Sequence, residues 1–429
     1  MRVIVYRSTI DGTVDAPPSK SYTHRAIICG LLSKGTTKLR NALFSDDTRT
    51  TLRISEMMGA EVRQEDDIEI TGPDELKAPA FEMNCHGSGT TLRIFTALSA
   101  LTSGKCVLTG NESLRRRPIG DLLDGLRQLD VDARSLGGNG LPPVEIRGQG
   151  IRGGIVRIRG DVSSQYVTGL LFACSKANKA SKIELTTELE SRPYVEMTLN
   201  VMSQFGAEAE PSNDWRKFSI PGNQDFQSQD YTIEGDFSSA AFLMAAGALT
   251  GSVKVKGLRM DSIQGDAAAV SLLKSMGLEI ISGRDNFKVS HNEMQAIEID
   301  ASDIPDLVPV MTVLATQANG ITKIYNAGRL RLKESDRLST ASQELRKMGA
   351  EITESRDGLT IRGPTALSGA VLNSHKDHRI AMAGVIAGLV AEGETVIEDI
   401  RCVTKSYPGF VKDMQSIGAE IELVSGGIT

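Results

Sequence analysis

The 429-residue sequence predicts an α/β fold of two domains, each built from three βαβαββ units. The main observation is a recurring hexapeptide. It reads "MMGAEV" at 57–62, "QLDVDA" at 128–133, "QFGAEA" at 204–209, "SMGLEI" at 275–280, "KMGAEI" at 347–352 and "SIGAEI" at 416–421. Its third residue falls at 59, 130, 206, 277, 349 and 418, so six copies of about 72 residues account for the whole chain. Self-similarity at a fixed period marks a repeat architecture. In phase with it runs a second marker, an apolar helical run, a turn and a strand-like run, as in "LLSKGTTKLRNAL", "ALTGSVKVKGLRM" and "VAEGETVIEDIRCV". A third is a short strand closing on glycine, in "IEITGP", "VEIRGQ", "FSIPGN" and "LTIRGP".

Taken in order, each unit opens on a strand that leads into an apolar helix. A second strand and a second helix follow, and the unit closes on two further strands. The glycine of the hexapeptide fits the end of the second helix, where a left-handed residue terminates the coil. A chain of this length exceeds what one hydrophobic core serves. The breaks expected are at Pro17-Pro18 and within "NQDFQSQD" at 223–230. They give one domain of residues 1–17 plus 229–429, completed by the N-terminal strand, and an inserted domain of 18–228. Two crossings of this kind predict closure of the domains on their ligands.

Composition narrows the function. A formal net charge of −6 argues against a general nucleic-acid or anionic-membrane surface, so any cation cluster is local. Cys29, Cys85, Cys106, Cys174 and Cys402 are scattered and form no CxxC pair, which predicts reduced thiols and a cytoplasmic location. "MRVIVYRSTIDGT" alternates like a strand and lacks the apolar core of a signal peptide. The longest apolar run, Ile380 to Ala391, is too short for the ~20 residues that span a bilayer. Serine-hydrolase, zincin and P-loop motifs do not occur, and "HKDH" has no companion cluster, so neither metal nor cofactor is expected.

The six apolar helices open differently: "SKSYTHR" (19–25), "GSGTTLR" (87–93), "DVSSQY" (161–166), "DFSSAA" (236–241), "DIPDLV" (303–308) and "HKDHRI" (375–380). Ser, Thr and Asp at such places satisfy free backbone N–H groups, and Ser238 and Ser239 read as caps of this kind. Capping does not account for Lys20, Arg25, Arg93 or Arg379, because a cation near a helix N-terminus opposes the macrodipole. An anion at the same place reverses the balance, so helix starts sharing one face would form an anion site without a basic surface. Further cations lie in "LRRRPIG" (114–120), "RLRLKESDR" (329–337) and "TKSYPGF" (404–410).

These segments, together with "PPSKSYTHRA", "GDVSSQYVTGLL", "SRPYVEMT", "IPDLVPV" and "KDHRIAMA", resemble the ordered signatures of the 5-enolpyruvylshikimate-3-phosphate synthase family from Pro17 to Phe410. The resemblance implies two inside-out α/β domains. It also implies transfer of the enolpyruvyl group of phosphoenolpyruvate to the 5-hydroxyl of shikimate 3-phosphate, with release of phosphate. By resemblance, phosphoenolpyruvate is held by Lys20, Gly89, Arg117, Gln165, Arg337, Arg379 and Lys405. Shikimate 3-phosphate is held by Lys20, Ser21, Arg25, Ser163, Ser164, Gln165, Ser191, Tyr194, Asp306 and Lys333. Asp306 and Glu334 are the expected acid and base, with Lys20 and Lys405 as proton donor or electrostatic stabiliser. An alanine at Gly89 is expected to crowd the smaller substrate, and Gly89 with "RRRP" suggests sensitivity to glyphosate. Two positions depart from the family pattern: Arg329 stands where many relatives have Asn, and "GSGTT" where many read "GNAGTA".

The nearest alternative is UDP-N-acetylglucosamine enolpyruvyl transferase, which shares fold and donor but carries a reactive loop cysteine. Here "NESLRRRPIG" has none, and Cys106 lies in the strand-like "KCVLTG", where a structural role is expected. A non-catalytic repeat scaffold is the alternative of a different class, and it needs no such mixture of carboxylates and cations. A monomer acting on small molecules is expected.

Overall fold

The structure is a computed structural model that describes residues 1–424. Two compact units emerge: the first comprises Met1–Pro18 and Glu234–Thr429, the second Ser19–Ile233. Each contains three four-stranded sheets, and all six share one topology, a parallel pair followed by two antiparallel neighbours. In the repeat led by Glu298–Asp300, that strand runs parallel to Gly320–Tyr325, which pairs antiparallel with Leu359–Gly363 and through it with Glu351–Glu354.

Three sheets are completed by strands far away in sequence, the first of them by Asp11–Asp15, which runs parallel to Ser252–Lys256. Arg2–Val5 sits between Thr395–Glu398 and Ile421–Val424 in the last sheet of the first unit. Asp230–Thr232 runs parallel to Thr36–Arg40 and supplies the leading strand of the second unit's first sheet.

The two helices of each repeat differ in pattern, and the difference sets the layering. The leading helices of the second unit, Lys20–Leu32, Gly89–Leu98 and Ser164–Ser175, are buried on nearly every face. So are those of the first unit, Phe237–Thr250, Val308–Gln317 and His378–Gly388. A helix apolar all round belongs in an interior. The second helices, such as Arg337–Lys347 and Ala268–Ser275, bury only a stripe. Strands alternate buried and exposed residues, as in Thr36–Arg40, so the sheets turn one face to solvent and the leading helices fill the middle. Among the described residues no helix is long and apolar enough to cross a membrane.

The hexapeptide performs the predicted task. Gly59, Asp130, Gly206, Gly277, Gly349 and Gly418 all have positive φ, between 63° and 106°. Each ends a second helix in the left-handed region. Five leading helices are capped by a side chain: Ser19, Ser88, Ser163, Asp236 and Asp377 accept from the backbone N–H of Tyr22, Thr91, Gln165, Ser239 and Arg379. The capping expected of Ser238 and Ser239 therefore falls to Asp236. Its carboxylate, one residue ahead of the helix, reaches Ser239 N at 2.7 Å and leaves Ser238 to bond elsewhere.

Candidate active site

In the second unit the helix starts carry cations whose charge the protein partly answers itself. Lys20 Nζ lies 3.3 Å from Asp47 Oδ2. The guanidinium of Arg25, 2% exposed, donates to Thr198 Oγ1 at 2.9 Å, to the Ser21 carbonyl at 2.8 Å and to the Tyr194 carbonyl at 2.6 Å. Arg25 thus ties the first leading helix to the helix Arg192–Gln204, and burial brings its pKa down to about 10. The expectation that these cations rely on an external anion is corrected to that extent. His24, between them in sequence, is buried and bonded through Nδ1 to Thr51 Oγ1 at 2.7 Å. Burial, with Lys20 and Arg25 nearby, holds it neutral, well below its ordinary pKa.

A second group forms around Gly89, the first residue of its helix. A Cβ built there would meet Arg93 Nη1 at 2.9 Å and Arg117 Nη1 at 3.1 Å, so two guanidiniums converge on one helix N-terminus. Arg93 donates to Gln165 Oε1 at 2.6 Å, and Gln165 Nε2 donates to Thr90 Oγ1 at 2.8 Å. The ring of Tyr166 lies 5.6 Å from the Arg93 guanidinium, and its hydroxyl donates to the Pro118 carbonyl at 2.5 Å. Of the three arginines in "RRRP", Arg115 bonds Thr109, Arg116 pairs with Glu112, and only Arg117 is buried. Ser163 caps the helix that bears the buried Ser164 and the half-buried Gln165. Ser191 holds a left-handed φ of 54° ahead of Arg192–Gln204, whose first turn carries Tyr194. Such strain in a non-glycine residue is characteristic of functional sites.

In the first unit, Arg337 is the hub of a buried network. Its Nη1 donates to Asp306 Oδ1 at 2.6 Å, Nη2 to Glu334 Oε2 at 2.9 Å and Nε to Asp377 Oδ2 at 2.8 Å. Three carboxylates raise its pKa well above the ordinary value against the opposing effect of burial. Asp306 also accepts from Arg379 Nη2 at 3.4 Å. Arg379 is 2% exposed, and among the described residues its Nε and Nη1 have no hydrogen-bond partner. Buried donors left in that state call for an acceptor. Beneath Arg379 lies the ring of Phe242, 5.8 Å away.

Lys333 closes a short 3-10 turn, Gly328–Leu332, and burial pulls its ammonium down to about 8. Lys405 ends the 3-10 segment Ile400–Lys405, which packs on the helix of Arg379. Ahead of that helix, His375 and Lys376 both hold left-handed φ, 52° and 59°, which turns the chain so that Asp377 caps the helix and grips Arg337.

Comparison with known proteins gives the family and the fold. Residues 5–414 match the profile of the family described as EPSP synthase (3-phosphoshikimate 1-carboxyvinyltransferase). The chain belongs to the EPSP synthase family. It is 43% identical over 429 residues to the 3-phosphoshikimate 1-carboxyvinyltransferase of Methanococcus maripaludis strain C6, covering 99% of this chain and all of that one. The corresponding protein of Methanocaldococcus jannaschii is 42% identical over 430 residues with the same coverage. A solved EPSP synthase from Acinetobacter baumannii superposes with a TM-score of 0.83 at 27% identity, covering 98% of this chain and 99% of that one.

The residues expected from the family signatures fall into two groups, one in each unit. Lys20, Ser21, Arg25, Gly89, Arg117, Ser163, Ser164, Gln165, Ser191 and Tyr194 belong to the second unit, and Asp306, Lys333, Glu334, Arg337, Arg379 and Lys405 to the first. Arg337 has its donors engaged by three carboxylates, whereas Arg379 keeps two free. Arg93 and Asp377 complete the two clusters and were absent from the expected ligand sets. Arg93 carries a signal, an unexplained cation at a helix start, whereas Asp377 stands out in the sequence only as part of "HKDH". Arg329, the departure from the family pattern, donates to the carbonyls of Ser302 and Ala301 and so braces the loop leading to Asp306. Cys106 is buried in a strand with its Sγ 3.5 Å from Thr102 Oγ1, a structural thiol.

Proposed function

We propose that this chain is a 3-phosphoshikimate 1-carboxyvinyltransferase of the shikimate pathway, which leads to chorismate and the aromatic amino acids. The observation that carries the reading is the Arg379–Asp306–Arg337–Glu334 cluster in a member of the EPSP synthase family. Unsatisfied donors for an anion stand there directly beside two carboxylates able to exchange protons. A binding scaffold has no use for that combination.

The reaction adds the 5-hydroxyl of shikimate 3-phosphate to C2 of phosphoenolpyruvate while a proton goes to the methylene carbon. The resulting tetrahedral adduct loses a methyl proton and phosphate. Asp306 and Glu334 are assigned the acid and base work, with Lys20 and Lys405 assisting as donor or stabiliser. In the second unit, Arg117 and Gln165 beside Gly89 are ligands for phosphoenolpyruvate. Ser163, Ser164, Ser191 and Tyr194 are ligands for shikimate 3-phosphate. Arginine forks match both phosphate and carboxylate, and donors fixed before the reaction stabilise charge that develops in the adduct. Arg337 contributes mainly by holding the carboxylates in place.

Phosphate release measured with both substrates, and with each omitted in turn, tests the reading. Release is expected only with both, and its absence with both present overturns the assignment. All five cysteines are unpaired and four are buried, which supports a reducing, cytoplasmic setting. A monomer is proposed, checked by sedimentation.

A further inference from the structure

Two consecutive non-glycine residues in the left-handed region, His375 and Lys376, carry a steric cost that their surroundings must offset. Some bonds form within the turn itself: His375 N donates to Asn373 Oδ1 at 2.7 Å, Lys376 N to Ser374 Oγ at 3.3 Å and Asp377 N to the Ser374 carbonyl at 2.9 Å. Ser374 Oγ adds a long bond, 3.4 Å, to the Asp399 carbonyl. The firmer tie comes from Glu344. Its Oε2 accepts from Asn373 N at 2.9 Å and its Oε1 lies 2.8 Å from His375 Nε2, so one carboxylate grips the chain on both sides of Ser374.

Glu344 is buried, and Lys347 Nζ answers its charge at 2.6 Å. Burial works to raise its pKa, but the bonds from Lys347, His375 and Asn373 N outweigh that and hold the carboxyl below its ordinary value. An ionised carboxylate only accepts, so His375 Nε2 carries the proton of their bond. Glu344 follows Arg337 by seven residues in the helix Arg337–Lys347, which is two turns, so both lie on one face. That helix holds the segment ahead of Arg379 at two points: Glu344 at Asn373 and His375, and Arg337 at Asp377. Asp377 in turn accepts from Arg379 N at 2.9 Å and caps the helix His378–Gly388. Arg379, whose Nε and Nη1 lack partners among the described residues, is thus aimed by a chain of bonds that begins at Glu344.

We propose that Glu344 and His375 are positioning residues: their bond holds the strained turn in the form that directs Asp377 to Arg337 and sets Arg379 for an anionic substrate. This inference rests on the proposed reaction, with phosphoenolpyruvate as the anion at Arg379. Shikimate 3-phosphate depends on the turn far less, because its proposed ligands in this unit, Asp306 and Lys333, are carried by other segments.

The test is steady-state kinetics with both substrates in wild type, H375A, E344A, K376G and the double variant H375A/K376G. Alanine at 375 keeps the steric cost of the left-handed turn and removes the bond that offsets it, so the turn relaxes and Arg379 loses its aim. KM for phosphoenolpyruvate should rise about tenfold, the scale of one misplaced charge-assisted hydrogen bond, while KM for shikimate 3-phosphate stays within about twofold. E344A loses both bonds to the turn and should raise KM for phosphoenolpyruvate at least as far. Glycine takes a left-handed φ without steric cost, so K376G alone should keep wild-type constants and in the double variant should cut the rise to about threefold or less. An unchanged KM for phosphoenolpyruvate in H375A or E344A, an equal rise for both substrates, or a rise that K376G does not reduce overturns the proposal. A merely structural role reduces the amount of folded enzyme, which lowers the maximal rate and leaves KM where it was. If E344A does not fold, H375A and its K376G partner decide, since the His375 side chain is 31% exposed. Absence of phosphate release in wild type itself counts against the proposed reaction, so the two failures are distinguishable.

Discussion

Replacing Gly89 with alanine should separate binding from stability. Gly89 is absent from the positive-φ positions and opens the helix Gly89–Leu98, so alanine fits its backbone without strain. In a helix, alanine is favoured over glycine by roughly 0.8–1 kcal/mol, and the melting temperature should hold or rise. The new methyl carbon would stand 2.9 Å from Arg93 Nη1 and 3.1 Å from Arg117 Nη1. Against an ordinary contact of about 3.5 Å, both guanidiniums must yield by roughly half an ångström. Both are ends of long side chains, so the fold can accommodate the shift. The bond from Arg93 to Gln165, 2.6 Å in length, and the aim of Arg117 cannot both be preserved. Loss of one charge-assisted hydrogen bond to a substrate anion costs about 1.5–3 kcal/mol, which corresponds to a KM for phosphoenolpyruvate roughly 10- to 150-fold higher. The checks are steady-state kinetics and a thermal melt on the same preparation. A G89A enzyme with unchanged KM, or one whose KM rises only because it has begun to unfold, refutes the reasoning.

Other perturbations follow from the same clusters. Arg337→Leu leaves Asp306, Glu334 and Asp377 without their shared cation, and chemical denaturation should show a loss of about 3–5 kcal/mol together with lost activity. D306N and E334Q, tested separately, should each lower kcat by about 10²- to 10⁴-fold with smaller changes in KM; either variant retaining wild-type kcat removes that residue from the proton chemistry. Lys333 loses its charge in the folded protein near pH 8, below the ordinary lysine value, so KM for shikimate 3-phosphate should climb above that pH toward the level of K333M. The unfolded chain holds that proton longer, so between about pH 8 and 10 this group makes stability rise with pH, a slope that K333M should lack. Glyphosate should inhibit in competition with phosphoenolpyruvate, and inhibition that phosphoenolpyruvate fails to relieve counts against the expectation.

Much of the fold was legible because a repeat states its own boundaries. The six hexapeptides predicted six helix ends, and all six key residues adopt the left-handed conformation, even where Asp130 replaces glycine. The leading helices could be recognised as interior from their apolar content alone, since a coil without a polar face has nowhere else to go. Local rules also gave most caps. They failed at "DFSSAA", where Asp236, Ser238 and Ser239 can each cap and only the backbone path selects Asp236 over Ser238.

The sequence by itself determined the α/β class, the six-fold repeat, the family and the set of helix starts that carry charge, because these depend on periodicity and residue type along the chain. Only the tertiary structure decided which charges are already answered. It gave Arg25 to backbone carbonyls and a threonine, Arg337 to three carboxylates and Arg329 to the loop before Asp306, and it left Arg379 with donors unspent. Whether a buried cation serves the fold or a substrate depends on the partners within hydrogen-bond reach, and that distance is set by packing between repeats, which no stretch of sequence encodes alone.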